Sequence, residues 1–363
     1  MKYARILSAI AAFFFLLAVS TSAYAAEQEI RRWKKDGSYV TEKPRGQIIG
    51  ETYKSLKYRG LGDQPRGDVI FVFYSDDPNF SEAEEFYAEL QWAAAIRAYK
   101  EALERSKRDW VPAYAHYRIG QCYWYQGDTK NAVKWLEKLN KEMPENPFLG
   151  PALCYIGEIY IAMGQPNKAE KAIEKVRLNR ELQDCWVERA QMLYGKLLIA
   201  KRDFRRAKAH LKSISSRLKY QSIRQQANFG LGECIEAEAR AEKDPKLFED
   251  AIKIYEDIAE AYNEETLGRA WAYIARCYYN IKEYENAYHY GLRAGLKYVD
   301  IDPALAAQGL YYAGKAFLAL YHSTDDDDPK RMFYGSNIKI IRRILKSKLL
   351  GTRFGQLGLS ELK

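Results

Sequence analysis

The sequence predicts an all-α fold, an α-solenoid of about six to seven helix-turn-helix units behind a small N-terminal extended or β-hairpin segment. Three observations carry this. A small residue recurs every 37 to 43 residues along the middle of the chain. An aromatic or aliphatic residue follows each one three positions later, and an alanine follows most of them at twelve. Apolar pairs four and seven residues beyond that alanine complete one face of a second helix.

The chain opens with Lys2 and Arg5, an apolar run from Ile6 to Val19, and the small-residue pattern Ala23-Tyr24-Ala25. That is the pattern of a secretory signal peptide over residues 1–25, cut after Ala25. Its 14 residues, all apolar but Ser8, are fewer than the roughly 20 that a bilayer-spanning helix needs. Ala26 follows the cut in place of the cysteine of a lipoprotein signal. The expected location is periplasmic or secreted.

Residues 26–78 lack the repeat. Lys35-Asp36-Gly37 between Trp33 and Tyr39 is a hairpin signal, and Val69 to Tyr74 reads as a buried strand or an extended segment capping the first helix pair. Trp33, Asp36, Gly37 and Pro44 resemble a small N-terminal module of envelope proteins.

The array is expected over 79–324. The recurring small residues are Gly120, Gly157, Gly195, Gly232, Ala275 and Gly314, spaced by 37, 38, 37, 43 and 39 residues. Tyr123, Tyr160, Leu198, Ile235, Tyr278 and Phe317 come three later. Ala132, Ala169, Ala207 and Ala287 lie twelve later, and in the fifth unit the alanine is delayed to Ala251. An upstream unit places Ala95, Tyr99 and Ala102 on its second helix. Gly127-Asp128, Gly164-Gln165-Pro166 and Arg202-Asp203 supply turn chemistry between the helices. Small residues let two helix backbones approach while the tyrosine packs beside them. Neither helix buries its apolar face alone, so stacking completes the core.

Gly120, Tyr123, Gly127, Ala132, Leu136, Leu139 and Pro144 resemble a tetratricopeptide repeat, and the likeness runs over about residues 79–345. Units here exceed that family's usual length of about 34 residues. Lengths near 37 are similar to the repeats of envelope scaffold proteins of Gram-negative bacteria. The resemblance implies a concave groove, lined by first helices, that holds a peptide or partner helix. The residues standing there are Tyr114, Tyr117, Gln121, Trp124, Tyr125, Arg189, Lys196, Arg269, Arg276, Tyr279, Tyr311 and Lys315. Aromatic and arginine side chains are the types in which binding energy concentrates. Tyr117 and Gln121 occupy the places of the family's carboxylate clamp, so no such clamp is expected.

Cys122, Cys154, Cys185, Cys234 and Cys277 form neither a close pair nor a metal-ligand spacing. Cys122, Cys234 and Cys277 read as small buried hydrophobes, while a bridge involving Cys154 or Cys185 stays open. Four scattered histidines, His116, His210, His289 and His322, offer no catalytic or metal pattern. Phosphate loops, nucleophile elbows and zinc motifs are missing as well. The expectation is a non-enzyme with no cofactor and no metal.

Net charge is +9, yet residues 330–363 alone hold nine basic residues and one acid. The body is therefore close to neutral, which argues against nucleic-acid binding. Residues 325–363 form an acidic loop, Asp325 to Asp328, and a basic helix and tail. That helix reads either as the terminal second helix with a solvated back or as a weak contact with an anionic membrane surface. The functional expectation is an exported scaffold for a protein or peptide partner in envelope assembly or secretion; the alternative is an envelope structural protein held to anionic lipid or polymer by its tail.

Overall fold

The computed structural model describes residues 28–36, 38–261 and 264–362. The expected signal peptide and Gly37 of the expected turn lie outside them. Among the described residues there are six strands and 15 helices, and no helix is long and apolar enough to cross a membrane. The chain divides into two compact bodies at 227/228, a division that the even repeat spacing gave no sign of.

In the first body, β1 (Glu29–Trp33), β2 (Tyr39–Glu42) and β6 (Val69–Phe73) form an antiparallel sheet in the order β2-β1-β6. Trp33 pairs with Tyr39 across the expected hairpin, and the Val69–Phe73 run is a strand on the other side of β1. A second antiparallel sheet, β3 (Ile48–Glu51), β4 (Ser55–Tyr58) and β5 (Gly62–Pro65), was not anticipated. Its inward side chains are few: Ile48, Leu56 and Tyr58.

Four helical hairpins follow in this body: α1 (Pro78–Ala88) with α2 (Trp92–Arg105), α3 (Val111–Tyr125) with α4 (Thr129–Glu142), α5 (Leu149–Ala162) with α6 (Pro166–Arg177), and α7 (Asp184–Ala200) with α8 (Phe204–Ser215). Helix α9 (Gln221–Glu242) runs through the division. The second body continues with α10 (Pro245–Ala261), then α11 (Glu264–Asn280) with α12 (Tyr284–Tyr298), α13 (Pro303–Ser323) with α14 (Pro329–Lys348), and the short α15 (Arg353–Glu361).

Spacing and packing agree at the crossings. A β-carbon added to Gly120 would sit 2.7 Å from Leu136, and one on Gly195 would sit 2.4 Å from Leu211. Those leucines come from the second helix of the same hairpin, four residues after the fully buried Ala132 and Ala207. The turn between helices uses one left-handed residue in six hairpins: Gly127, Gly164, Leu90, Arg202, Lys243 and Lys282. Only two of these are glycine, so a glycine search reads just part of the pattern. Gly314 departs from its siblings, because its face meets Leu362. Helix α15 thus lies where another first helix would stand, with Gly358 on Leu345, and covers the end of the last hairpin.

The five cysteines are buried, and none is in a disulfide. The Cys154 thiol lies 3.8 Å from the Trp186 carbonyl, and burial pushes it up to about 12. No bridge joins it to Cys185. In the acidic loop, Asp328 caps α14 and Asp326 pairs with Arg331. Among the described residues no group of His, Cys, Asp and Glu is arranged to hold a metal ion.

Candidate partner-binding site

In the first body the N-terminal sheets lie over the first-helix face, and so do more than cap its open end. Phe71 of β6 sits edge-on to Tyr114 at 5.0 Å and 5.7 Å from Phe148. The Arg118 guanidinium covers its ring at 4.6 Å. Gln183, just before α7, donates to the carbonyls of Gly67 and Val69 at 2.8 and 2.6 Å. Trp33 packs on Trp186 and Tyr220, and the Gln221 N–H donates to the Lys35 carbonyl at 2.8 Å. An extended segment of this chain therefore crosses α3, α5, α7 and the start of α9.

That contact corrects the expected open aromatic stripe. Tyr114 is 1% exposed and its hydroxyl donates to Glu51 while accepting the Val72 N–H. Burial, and then the Glu51 charge, raise its pKa well above the usual phenol value. Tyr117 is buried and stacked on Phe148 at 4.3 Å. Gln121 is buried too; its amide donates to the hydroxyls of Tyr117 and Tyr155 at 3.3 Å. Trp124 is half-buried and Tyr125 exposed. Tyr125 leans on Trp92 at 4.9 Å, leaving these two as the uncovered remainder of the stripe.

The basic residues are also less available than the sequence implied. Arg189 pairs with Glu158 at 3.0 Å. In the second body, Arg269 lies 3.6 Å from Glu233, Arg276 2.5 Å from the fully buried Glu236, and Lys315 3.4 Å from Glu361. Burial works against the Arg276 charge, but Glu236 outweighs it and raises the pKa. Lys196 is half-buried. Tyr279 packs against Tyr312 with the Lys315 ammonium 5.0 Å from its ring, and Tyr311 donates to Glu361 at 2.6 Å. Two of the missed partners had a signal: Glu158 and Glu233 each stand one residue after a small residue, and each meets the arginine six before the next small residue, Arg189 and Arg269.

What stays open in the second body is a cleft of about 410 Å³ along α11, α13 and the start of α15. Arg269, Tyr273, Gln308, Thr352, Arg353 and Phe354 line it. Arg269 and Gln308 hold equivalent repeat positions, six before Ala275 and Gly314. The Gln308 amide nitrogen is buried without a hydrogen-bond partner, a donor that a bound carbonyl or carboxylate would satisfy. In the first body Tyr114 and Arg189 occupy the same register, and there the chain's own strands complete the face.

Two histidines give the protein a pH dependence away from this cleft. His116 Nδ1 contacts the Pro112 carbonyl at 2.7 Å, and His210 Nε2 contacts the Gln191 carbonyl at 2.8 Å. Burial lowers both below the ordinary value of 6.5. The unfolded chain then binds more protons in that window, so stability is complete above about 6.5 and falls as pH drops toward the lowered folded values. The urea midpoint should be lower at pH 5 than at pH 7. Replacing both histidines by asparagine should shrink the difference.

Helix pairs joined by left-handed turns, each crossing at a small residue, define a helical-hairpin repeat protein. More particularly, residues 80–147 and 151–176 match two tetratricopeptide repeat models, so this part of the chain carries tetratricopeptide repeats. The solved tetratricopeptide repeat protein from Parabacteroides merdae is similar, with a TM-score of 0.50 at 14% identity over 78% of this chain and 97% of that one. A Rap protein complexed with competence and sporulation factor aligns at a TM-score of 0.49 and 14% identity, over 79% of this chain and 84% of that one. Human Superkiller complex protein 3 is 26% identical over 131 residues, covering 34% of this chain and 8% of that protein's length.

Proposed function

We propose that this chain is an exported, non-enzymatic scaffold that binds an extended segment of a protein partner on the first-helix face of its second body, in cell-envelope assembly or secretion. One observation carries the proposal. In the first body this face already receives an extended strand, Val69–Phe73, with Phe71 lodged among Tyr114, Phe148 and Arg118. In the second body the matching register holds the cleft of about 410 Å³, with a ring on one wall, Phe354, and an unpaired amide donor on another. That precedent supports a guest that offers an apolar side chain with backbone carbonyls beside it. Export rests on Lys2, Arg5, the run Ile6 to Val19 and Ala23-Tyr24-Ala25, and N-terminal sequencing of the secreted protein should begin at Ala26.

Filling the cleft tests the binding reading. Peptides selected from a random library against the full chain should lose at least tenfold in affinity, about 1.4 kcal/mol, when Gln308 is replaced by tryptophan. The melting temperature is measured alongside, because the Gln308 amide nitrogen is itself buried and the larger ring must turn out into the cleft. Equal affinity for the variant would place the site elsewhere. Trp124→Ala probes the remaining aromatic patch of the first body in the same assay.

A further inference from the structure

Helix α14 is unlike the other second helices of the array. Among the described residues α2, α4, α6, α8 and α10 expose no large apolar side chain and α12 exposes one, Leu296, whereas α14 exposes three, Met332 at 76%, Phe333 at 53% and Ile340 at 48%. Leu350, just past its end, is 52% exposed. At about 100° per residue, Met332, Phe333, Ser336, Lys339, Ile340, Arg343 and Lys346 fall within one stripe about 140° wide. Tyr334, Ile338, Ile341 and Leu345 occupy the opposite face and are buried, so this outward stripe is not a misplaced core. Residues 329–348 contain seven basic side chains and no acid. Arg331 and Lys348 are paired with Asp326 and Asp300, while Lys330, Lys339, Arg343 and Lys346 have no acidic partner among the described residues.

We propose that this stripe seats the protein on an anionic lipid bilayer, with the free cations at headgroup level and Met332, Phe333, Ile340 and Leu350 reaching the acyl boundary. The two components select this occupant over its competitors. A second copy docked face to face would bring cations against cations with no acid between them. A soluble polyanion would satisfy the charges and leave four large apolar side chains in water. A bilayer with anionic headgroups answers both, since interfacial attachment sums buried apolar area and attraction to anionic lipid. The partner-binding cleft is not part of this surface, and the two proposals stand or fall separately.

The test is co-sedimentation of the full chain with large vesicles, one-third phosphatidylglycerol in phosphatidylcholine, at about 0.1 M salt. Residues 1–27 carry their own apolar run, so the readout is the ratio of variant to wild type on the same chain. Met332→Ser, Phe333→Ser and Ile340→Ser together should lower partitioning about tenfold or more with charge unchanged. Lys339→Gln, Arg343→Gln and Lys346→Gln together should lower it about a hundredfold and flatten the salt dependence. All six residues are exposed, but the Phe333 ring also meets the buried Phe317 at 6.0 Å, so helicity and melting temperature are measured alongside, and Met332→Ser with Ile340→Ser alone should still lower partitioning. Full binding by the serine variant would mean adsorption by charge alone and would overturn the proposal. So would unchanged binding by the glutamine variant, or a concentration-dependent dimer abolished by the serine changes.

Discussion

Replacing Arg66 by methionine is expected to lower the unfolding free energy of the first body by roughly 3–5 kcal/mol, the range for leaving one partner of a buried ion pair uncompensated. Arg66 and Glu51 are 1% and 3% exposed at their side chains and lie 2.6 Å apart. The arginine also donates to the carbonyls of Val69 and Thr52 at 2.9 and 3.1 Å. Glu51 accepts from the hydroxyls of Tyr74, at 2.9 Å, and Tyr114. One carboxylate therefore joins the second sheet, the end of β6 and helix α3. Without Arg66 that carboxylate is left in a buried place with only neutral donors. Loss of hydrogen-exchange protection should start at residues 48–74 and reach the Tyr114 turn of α3. The double variant Arg66→Met, Glu51→Leu should recover most of the loss, because an apolar pair costs far less there than a lone charge. A single variant within about 1 kcal/mol of wild type would show that water reaches Glu51, and that the strands are held by Phe71 and Trp33 alone.

This network also marks where sequence reasoning stops. The helix pairs were legible because their signal repeats: Gly120, Ala132 and Leu136 mean little alone, and the same trio recurring at 37 residues fixes a crossing point. The hairpin around Asp36 and the strand at Val69 were legible from local patterning. What they pack on was not, since Phe71 meets Tyr114 across 43 positions and Gln183 reaches Gly67 across 116. Nothing in a periodic pattern encodes such a contact. For the same reason the aromatic stripe was read from the right helix faces but assigned to an external guest, when Tyr114 and Tyr117 serve the chain's own strand and loop. Short polar strands such as Gly62–Pro65, exposed at every position, have no burial pattern to read. The pairing of Arg276 with Glu236 spans 40 residues, three short of the 43 that separate Gly232 from Ala275, so it joins unlike repeat positions and a search at the repeat period would have passed over it.

Arg276 is where this difference has the largest consequence. As an isolated groove anchor, Arg276→Glu would reverse a surface charge and weaken a partner while leaving the helices intact. In the structure the guanidinium lies 4.3 Å from the Tyr273 ring and is bound to a glutamate with no exposed side-chain surface. Glu236 has further partners, among them Arg240 at 2.8 Å and the Tyr255 hydroxyl at 3.3 Å, and Tyr255 is itself fully buried against Gly232. A second carboxylate at position 276, two bonds shorter than the guanidinium it replaces, would face the buried Glu236 with Arg240 as the one remaining cation paired to it among the described residues. Two such groups cannot both ionise in a buried site. Either one holds a proton at neutral pH or α9 and α11 part, and the expected loss is at least about 4 kcal/mol. Hydrogen exchange at pH 7 should show protection lost across residues 229–280, with α14 affected less. Lowering the pH toward 5 should restore part of it: the shared pair has a raised folded pKa, so the folded state binds the extra proton and gains stability as pH falls. Arg276→Met with Glu236→Leu should stay folded at both values. Were Arg276→Glu to melt like wild type at pH 7, the Glu236 site would have to be open to water, and the charge reversal would regain its value as a binding probe. If it unfolds as argued, lost binding in that variant reports the hairpin packing and leaves Gln308→Trp to decide the cleft.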